Sequence, residues 1–445
     1  MSDQSILRIT REIKHIQHNA DLSLAVAYKD SDIRDVTAIV LGTPGTPYQF
    51  GLFEFSINFG KDYPATPPIV QITTTNGGRC RFGPNLYAGG KVCLSILGTW
   101  GGQRGEEWSS AQGLESILIS IQSLMSNNPY ENEPGYQGAH TPEDQENSQA
   151  YIEKIRHETL RLAVIQPLES SLGIQPDGTV KPSESKNASE DDECDDPFED
   201  ENDTFFEPFV DLRKRRFLWY FDSYTQAIKE AEPHVRRRQR FKTMPFETED
   251  NCMRGHFNFP ELGRRLIRVK EAILKETHKW PMEGLEAKKQ EGSLAVSLQS
   301  QYEQIVEDFN HRHNFTVDLR LVDGNPFLWE LTYFGRPMTQ LDGGVFKIKI
   351  YLSPRFPDEQ PRVVVDTDLF HYRVAKDGTL CYFPQRTEEM RHHVEAILEA
   401  LEEESPPYDP RTTVNPEASR LFWGSPEDRK NYNRALRRSV QKSVE

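Results

Sequence analysis

The chain has 445 residues, more than one hydrophobic core usually serves, so two or three domains are expected. Lys and Arg total 53 against 69 Asp and Glu, which gives a formal net charge of -16. This acidic balance argues against a general nucleic-acid-binding protein and favours partners with basic surfaces. Ten of the acidic residues lie between residues 190 and 203, so the remainder of the chain is closer to neutral.

The cysteines are few and scattered, and no two have the CxxC spacing of a zinc site or a redox motif. They are Cys80, Cys93, Cys194, Cys252 and Cys381. This usage predicts a reduced compartment, the cytosol or the nucleus. The first eleven residues lack a signal-peptide core, and no apolar run of about 18 residues is long enough to cross a bilayer, so a soluble protein without a membrane partner is expected.

Secondary structure is predicted from the spacing of apolar residues. Ile6, Ile9, Ile13 and Ile16 recur at intervals of three and four, which predicts an amphipathic helix with these four residues on its buried face. Between residues 53 and 59, apolar and polar residues alternate as on a strand with one wet face. In chain order the pattern gives a helix over residues 6–16, strands over residues 36–41, 53–59 and 69–73, and helices over residues 117–124 and 151–164. A helix, a meander sheet and further helices predict an α+β fold.

The same pattern returns in the second half of the chain. Three turn-forming positions recur 293 residues later: Gly42 as Gly335, Gly51 as Gly344 and Pro64 as Pro357. Strand alternation returns over residues 346–352, between an entry helix over 294–309 and an exit helix over 390–401. Two copies of one fold are the economical explanation.

Four regions follow from these patterns. Residues 1–172 form the first copy and residues 290–445 the second, while residues 173–204, rich in Ser, Pro and acid, form a disordered linker. Residues 205–285 are expected to form helices that pack against the first domain. A hypothesis for one basic run of this extension is that it binds the acidic linker of the same chain; it consists of Arg236, Arg237, Arg238 and Arg240.

The segment around Cys93 carries the strongest functional signal. It reads Phe82-Gly-Pro-Asn-Leu-Tyr-Ala-Gly-Gly-Lys-Val-Cys-Leu-Ser-Ile-Leu97 and is followed by Trp108-Ser-Ser-Ala111. It resembles the catalytic segment of ubiquitin-conjugating enzymes, in which His-Pro-Asn precedes the thioester cysteine and a Trp-Ser-Pro-Ala turn follows. Pro84 and Asn85 stand at the matching interval, whereas Gly83 replaces the His.

The resemblance is greatest to the Z-type branch of this family and covers residues 1 to about 277. Further matching segments are residues 120–125, 128–135, 156–164 and 254–257. The implied fold is two conjugating-type domains, each with an N-terminal helix, a four-stranded antiparallel meander and C-terminal helices. The implied function is to accept ubiquitin from an activating enzyme as a thioester on Cys93 and to pass it to a lysine.

The chemistry of such a site fits these residue types. A thiolate is the competent nucleophile, and a thioester keeps the acyl group reactive without a metal or cofactor, so none is expected. The amide of Asn85 can stabilise the oxyanion that forms during attack, or hold the loop that does. A carboxylate can orient the incoming lysine, and Glu133 matches the acidic family position, with Glu131 as the fallback.

Cys381 is a candidate second active site with a changed motif. His371 precedes it by the family interval, but Tyr372 and Arg373 replace the Pro and Asn. The second copy is therefore interpreted as a divergent domain that binds or positions a partner rather than catalysing transfer.

The resemblance also implies partner-binding residues in the first copy, namely Tyr63, Pro64, Trp108 and Ser109. Ala65 stands where many relatives place a large apolar residue for ligase docking, so the choice of ligase is open. A Gly-rich insertion over residues 101–107 is expected to gate access to Cys93. The expected partners are ubiquitin or a related modifier, its activating enzyme, a ligase and substrate lysines.

Alternative functions remain open at this point. Both copies could be non-catalytic modules that present ubiquitin or a ligase, as the changes around Cys381 suggest for one of them. The chain could also conjugate another ubiquitin-like modifier. A cysteine hydrolase is the remote option, because no His is near Cys93 in sequence to serve as its base.

Overall fold

The computed structural model describes residues 2–18, 21–29, 31–102, 105–138, 141–179, 206–290, 292–312 and 315–445. The chain divides into two compact units. The first comprises Met1–Val210 and Ile228–Arg265, and the second comprises Asp211–Ala227 and Leu266–Glu445. Among the described residues no helix is both long and apolar enough to cross a bilayer.

The first unit begins with a helix and a four-stranded antiparallel meander in the order β1-β2-β3-β4. The elements are α1 (Ser2–His18), β1 (Leu24–Lys29), β2 (Asp32–Leu41), β3 (Leu52–Asn58) and β4 (Ile69–Ile72). Ile9, Ile13 and Ile16 are buried as their spacing predicted, but Ile6 is 38% exposed. The predicted meander and the α+β class are confirmed.

The register of β2 and β3 explains why the alternating pattern folds this way. Ala38 pairs with Phe55 and Val40 with Phe53, and all four residues are buried. Because successive side chains of a strand point to opposite faces, this register turns Ser56 towards solvent. One face of the sheet therefore supplies the core beneath the site.

Helices complete the first copy. They are α2 (Leu114–Ser123), α3 (Pro142–Glu158), a π-helical segment (Thr159–Ile165) and α4 (Gln166–Ser171). α3 begins nine residues before the predicted helix at residue 151, because Thr141 accepts a hydrogen bond from the backbone N–H of Asp144 and Pro142 follows it. The sequence pattern marked only the apolar part of this helix.

The predicted linker over residues 173–204 lies partly within the described chain. Residues 173–179 are ordered: Ile174 is 6% exposed, and the N–H of Gln175 donates to the carbonyl of Thr179 at 2.8 Å. The ordered chain thus extends seven residues beyond the expected boundary, because one apolar side chain still reaches the core. Residues 180–204, with the acidic stretch, lie outside the described residues.

Two long helices follow, α5 (Val210–Ala231) and α6 (Phe259–Gln290). The expectation that residues 205–285 pack against the first domain differs from the structure, which assigns 211–227 and 266–285 to the second unit. Specific contacts hold them there. The indole N–H of Trp219 donates to the carbonyl of Leu380 at 3.1 Å, and the Lys270 ammonium lies 2.7 Å from the Asp377 carboxylate.

The second unit repeats the plan of the first, with an entry helix, a meander in the order β5-β6-β7-β8 and later helices. Its elements are α7 (Ser293–His311), β5 (Val317–Leu321), β6 (Leu328–Phe334), β7 (Val345–Tyr351), β8 (Arg362–Val365), α8 (Met390–Glu402), α9 (Pro416–Phe422) and α10 (Pro426–Lys442). β7 and β8 stand at the 293-residue offset from β3 and β4. The repeat seen in the sequence is therefore a structural repeat.

Candidate active site

Cys93 and Asn85 lie side by side on the loop that follows β4. The backbone N–H of Cys93 donates to the carbonyl of Asn85 at 2.9 Å, and the side-chain Nδ2 of Asn85 donates to the carbonyl of Cys93 at 3.1 Å. Asn85 is 9% exposed. Of the two roles proposed for this amide, the structure therefore shows it holding the loop that carries the cysteine.

The thiol of Cys93 is covered, because the residue is only 1% exposed. Tyr87 is half-buried beside it, and the pKa of its phenol is raised, first by burial and then by the neighbouring Cys93. An acyl donor can reach the sulfur only if the covering groups move. Sequence reasoning did not single out Tyr87, although its place two residues after Asn85 in the motif could have indicated it.

Arg81 is a second residue that sequence reasoning missed. It is 2% exposed, and its guanidinium donates to the carbonyls of Gly83 at 3.1 Å and Pro84 at 3.0 Å. The guanidinium also lies 5.0 Å from the ring centre of Tyr87. Arg81 therefore fixes the segment that leads into Asn85, in a copy where Gly83 has no side chain to do so.

Glu133 belongs to the same network. Its Oε2 lies 3.4 Å from a guanidinium nitrogen of Arg81, so the structure brings Glu133 to the residues that surround Cys93. The fallback residue, Glu131, is exposed and accepts a hydrogen bond from Asn128 at 2.9 Å. The geometry favours Glu133 over Glu131 as the acidic residue of the site.

The loop after Cys93 is held by a hydroxyl. Thr99 Oγ1 donates to the carbonyl of Val92 at 2.7 Å and accepts from the N–H of Leu94 at 3.0 Å, which closes the chain on both sides of the cysteine. Part of the Gly-rich insertion reaches this loop, since Glu106 Oε2 lies 3.4 Å from the hydroxyl of Ser95. Residues 103 and 104 of the insertion lie outside the described residues.

The four predicted partner-binding residues fall into two groups. Tyr63 is 3% exposed and its hydroxyl donates to Glu12 at 2.6 Å, so it packs inside rather than touching a partner. Pro64 and Trp108 are half-buried and joined by a hydrogen bond of 2.9 Å from the indole N–H to the proline carbonyl, and Ser109 is exposed. Of the four, these three present surface to solvent.

The second copy reproduces the backbone of the site but changes its side chains. The N–H of Cys381 donates to the carbonyl of Arg373 at 2.9 Å, as that of Cys93 does to Asn85. Arg373 thus occupies the position of the amide, and His371 that of Gly83. The guanidinium of Arg373 lies 2.7 Å from the Glu403 carboxylate.

Cys381 is fully buried, and this burial raises the pKa of its thiol to about 11. The indole of Trp219 is hydrogen-bonded to the carbonyl of the preceding residue, Leu380, and packs edge-on against Phe383, with centroids 5.3 Å apart. The thiol therefore stays protonated at neutral pH. The surroundings of Cys381 therefore suit a structural cysteine better than a nucleophile.

Comparison with known proteins agrees with this geometry. The family described as "Ubiquitin-conjugating enzyme" matches the chain twice, over residues 8–159 and 297–439. The first span contains Asn85 and Cys93, and the second contains Arg373 and Cys381. The chain therefore belongs to the ubiquitin-conjugating enzyme family.

Individual relatives match part of the chain. The chain is 36% identical over 277 residues to ubiquitin-conjugating enzyme E2 Z of Homo sapiens. This alignment covers 62% of this chain and 65% of the human protein. It is 46% identical over 171 residues to the Danio rerio protein of the same name, covering 38% of this chain and 50% of the relative. A human dual conjugating enzyme and ligase, BIRC6, is 41% identical over 145 residues, covering 32% of this chain and 3% of the relative. The chain thus spans less than two thirds of the human E2 Z.

Proposed function

We propose that the chain accepts ubiquitin from an activating enzyme as a thioester on Cys93 and transfers it to a lysine amine. The observation that carries this proposal is the pair of hydrogen bonds that joins Asn85 and the backbone of Cys93. They hold the Asn85 amide against the backbone of the proposed acceptor, in a chain that belongs to the conjugating-enzyme family.

The reaction consists of two acyl transfers. In the first, the Cys93 thiolate attacks the thioester carbonyl on the activating enzyme, the new C–S bond forms, and the donor cysteine leaves as a thiolate. In the second, a neutral lysine amine attacks the carbonyl, the C–S bond to Cys93 breaks, and the amine loses a proton as the amide forms. A thioester needs no metal or cofactor for either step.

The neighbours of Cys93 can assist the second step. Negative charge gathers on the carbonyl oxygen in the transition state, and an amide donor such as that of Asn85 lowers its energy. Arg81 contacts both Glu133 and Tyr87, and the proposal assigns Glu133 to the incoming amine. A carboxylate there favours the orientation and deprotonation of the lysine.

The second copy serves as a binding or positioning domain in this proposal, because Cys381 is buried and its thiol is hard to ionise. The expected partners are the activating enzyme, ubiquitin, a ligase and substrate proteins, in the cytosol or the nucleus. Pro64, Trp108 and Ser109 are the proposed contacts for a partner of the first copy.

A charging assay tests the proposal. The full chain is incubated with activating enzyme, ATP and ubiquitin, and the products are separated on a non-reducing gel. The expected product is an adduct that a thiol reductant removes, that Cys93→Ala abolishes, and that Cys381→Ala retains. An adduct that depends on Cys381 instead of Cys93 would contradict the assignment.

One observation favours a second candidate, a non-catalytic adaptor that presents ubiquitin or a ligase. Cys93 is 1% exposed, which is the burial expected of a structural cysteine. Failure to form any adduct with a panel of activating enzymes and modifiers, together with binding of ubiquitin, would support the adaptor. Charging with a different ubiquitin-like modifier would retain Cys93 as the acceptor and change only the modifier.

A further inference from the structure

Two short segments of the first unit form an antiparallel ribbon, residues 236–241 and 254–257. The N–H of Arg238 donates to the carbonyl of Phe257 at 2.8 Å, and the N–H of Phe257 donates to the carbonyl of Gln239 at 2.9 Å. The N–H of Phe241 donates to Gly255 at 3.0 Å. Three backbone hydrogen bonds therefore fix the shape of this segment.

Aromatic side chains attach the ribbon to the first unit. Phe241 and Phe257 are 8% and 3% exposed, and their rings lie 4.8 Å apart. Both pack against the buried ring of His157, at 5.6 Å and 5.7 Å. A side chain at Gly255 would come within 2.7 Å of the Phe241 ring, so this contact requires glycine. The ribbon is thus a built part of the unit.

Four arginines on the first segment of this backbone ribbon have exposed side chains. We call these four side chains together the arginine ribbon: Arg236, Arg237, Arg238 and Arg240. None of the four forms an ion pair with a carboxylate of the described residues. Elsewhere in the unit several arginines are paired, as Arg161 is with Glu158 and Arg265 with Glu169 at 2.6 Å. The arginine ribbon is therefore an uncompensated concentration of positive charge.

Arg254 adds to this surface. It stands next to Gly255 on the partner segment, and its guanidinium is 66% exposed. Its contact with Glu249, at 3.6 Å and with the carboxylate 87% exposed, is weakened by solvent. Like charges held this close repel one another, so a ligand with several negative charges would be stabilised here.

The sequence supplies such a ligand close by. Residues 190–203 contain ten acidic residues and no basic one. They fall between Thr179, where the described chain of the first unit stops, and Phe206, where it resumes. Both ends of the acidic stretch are therefore tethered to the unit that carries the arginine ribbon.

The stretch is long enough to reach the arginines. The acidic stretch ends shortly before Phe206, and α5 lies between Phe206 and the arginine ribbon in the sequence. The 22 residues of α5 span about 33 Å. Fourteen extended residues span about 46 Å, so residues 190–203 can bridge that distance. A segment attached at both ends to the same unit has an effective concentration on the order of millimolar at a surface within its reach. A free polyanion at lower concentration would compete poorly.

We propose that the arginine ribbon binds the acidic stretch of residues 190–203 of the same chain. The contact is electrostatic, with several carboxylates facing exposed guanidinium groups, so it weakens as salt increases. It goes beyond the conjugating function, since none of the residues involved belongs to the Cys93 site.

A natural cysteine makes the contact measurable, because Cys194 lies within the acidic stretch. In a full-length chain carrying Cys93→Ser and Cys252→Ser, the exposed Gln239 is replaced by Cys. Mild oxidation is expected to link residues 194 and 239, detected by mass spectrometry of the cross-linked peptide. The rate should exceed that of a Lys61→Cys control at another exposed position by about tenfold.

Two further variants identify the cause. Replacing the four arginines by Gln should reduce the linking rate at residue 239 to that of the control, whereas replacing the exposed Arg11, Lys14, Lys61 and Arg79 by Gln should leave it unchanged. Raising NaCl from about 50 mM to about 500 mM should reduce the linking rate at residue 239 as the replacement of the four arginines does. Equal linking at residues 239 and 61, or a rate insensitive to salt and to the arginines, would overturn the proposal.

Other occupants give different results. A fluorescent RNA oligonucleotide and an acidic peptide of unrelated sequence are titrated into the intact chain and into a chain whose ten acidic residues are neutralised. The proposal expects both probes to bind at least about tenfold more tightly after neutralisation, because the tethered competitor is then lost. Equal binding to the two chains would show that the surface is free for a partner and would overturn it.

Discussion

Trp219 donates its indole N–H to the carbonyl of Leu380, the residue immediately before Cys381. This bond ties a side chain of α5 to the segment that corresponds to the Cys93 segment of the first copy. The second cysteine is therefore covered by a helix that lies outside the repeated domain in the sequence.

The Cys381 thiol should react slowly with an alkylating reagent, and Trp219→Ala should accelerate it by about tenfold or more by opening the cover. Since burial raises its pKa to about 11, the rate in the folded chain should rise about tenfold per pH unit from pH 7 to 10. Mass spectrometry of the labelled peptides measures the rate, with urea-unfolded chain as the reference. A fast reaction at pH 7 in the folded wild type would show that the site is open.

Asn85→Ala should lower transfer of ubiquitin to free lysine by on the order of 100-fold to 1000-fold, because the amide that holds the Cys93 loop is also the donor proposed for the oxyanion. Single-turnover discharge of the preformed thioester measures this step, and the extent of charging in the same variant is the control. If charging and discharge fall by the same factor, the amide acts only by holding the Cys93 loop. If discharge is unaffected, Asn85 has no part in transfer.

Glu133→Gln should slow discharge to lysine by about 100-fold, because the carboxylate that assists deprotonation of the amine is removed. Glu131→Gln is the matched control and should leave discharge unchanged, since Glu131 is exposed and bonded to Asn128. The ratio of the two rates over a range of lysine concentrations is the measurement. The opposite ranking would assign the role to Glu131.

Tyr87→Ala should increase the rate at which Cys93 is alkylated, because a ring beside the covered thiol is removed. Tyr87→Phe keeps the ring and loses the hydroxyl, so the alkylation rate should stay near that of the wild type. Peptide mass spectrometry resolves Cys93 from the other cysteines. Equal rates in all three chains would show that other groups cover the sulfur.

The second unit should lose stability in acid. His371 is buried beside Arg373, its Nδ1 accepts a hydrogen bond from the N–H of Arg373 at 3.1 Å, and burial lowers its pKa to about 3. The folded state therefore favours the neutral ring. The histidine's contribution to the free energy of unfolding is complete above pH 6.5, which is near its pKa in the unfolded chain. This contribution is lost as the pH falls towards 3, by about 1.4 kcal/mol per pH unit.

Urea unfolding at several pH values measures this slope. His371→Asn keeps an acceptor without the titrating ring and should flatten the curve between pH 6.5 and 4. His311→Gln is the control, because that ring is 78% exposed and should contribute little. An unchanged slope in His371→Asn would assign the acid sensitivity to other groups, among them His393, whose pKa burial lowers to about 4.

The fold could be predicted from the sequence where a regular pattern is repeated. Alternation in β3 and its return in β7 predicted both sheets, because a strand buries every second residue. The start of α3 was missed because it depends on a cap at Thr141 rather than on apolar spacing. The division of residues 205–285 was missed because an amphipathic helix does not state which surface it covers.

The part of the site that could be predicted from the sequence is the part that carries a regular pattern. A motif with fixed intervals placed Cys93 and Asn85 together, and the structure shows them bonded. Arg81 carries no local pattern, since its importance comes from carbonyls and aromatic rings that fold around it. The burial of Tyr63 and Cys381 likewise depends on residues far away in sequence.

The division of the chain into units has a practical consequence. The backbone leaves the first unit after Val210, returns at Ile228 and leaves again after Arg265, so no single cut can separate the two. A fragment that starts at residue 290 would omit Trp219 and Lys270 and leave the backbone around Leu380 bare. Such a truncated product would present a cysteine that the intact molecule keeps out of reach, and its reactivity would misrepresent the parent protein.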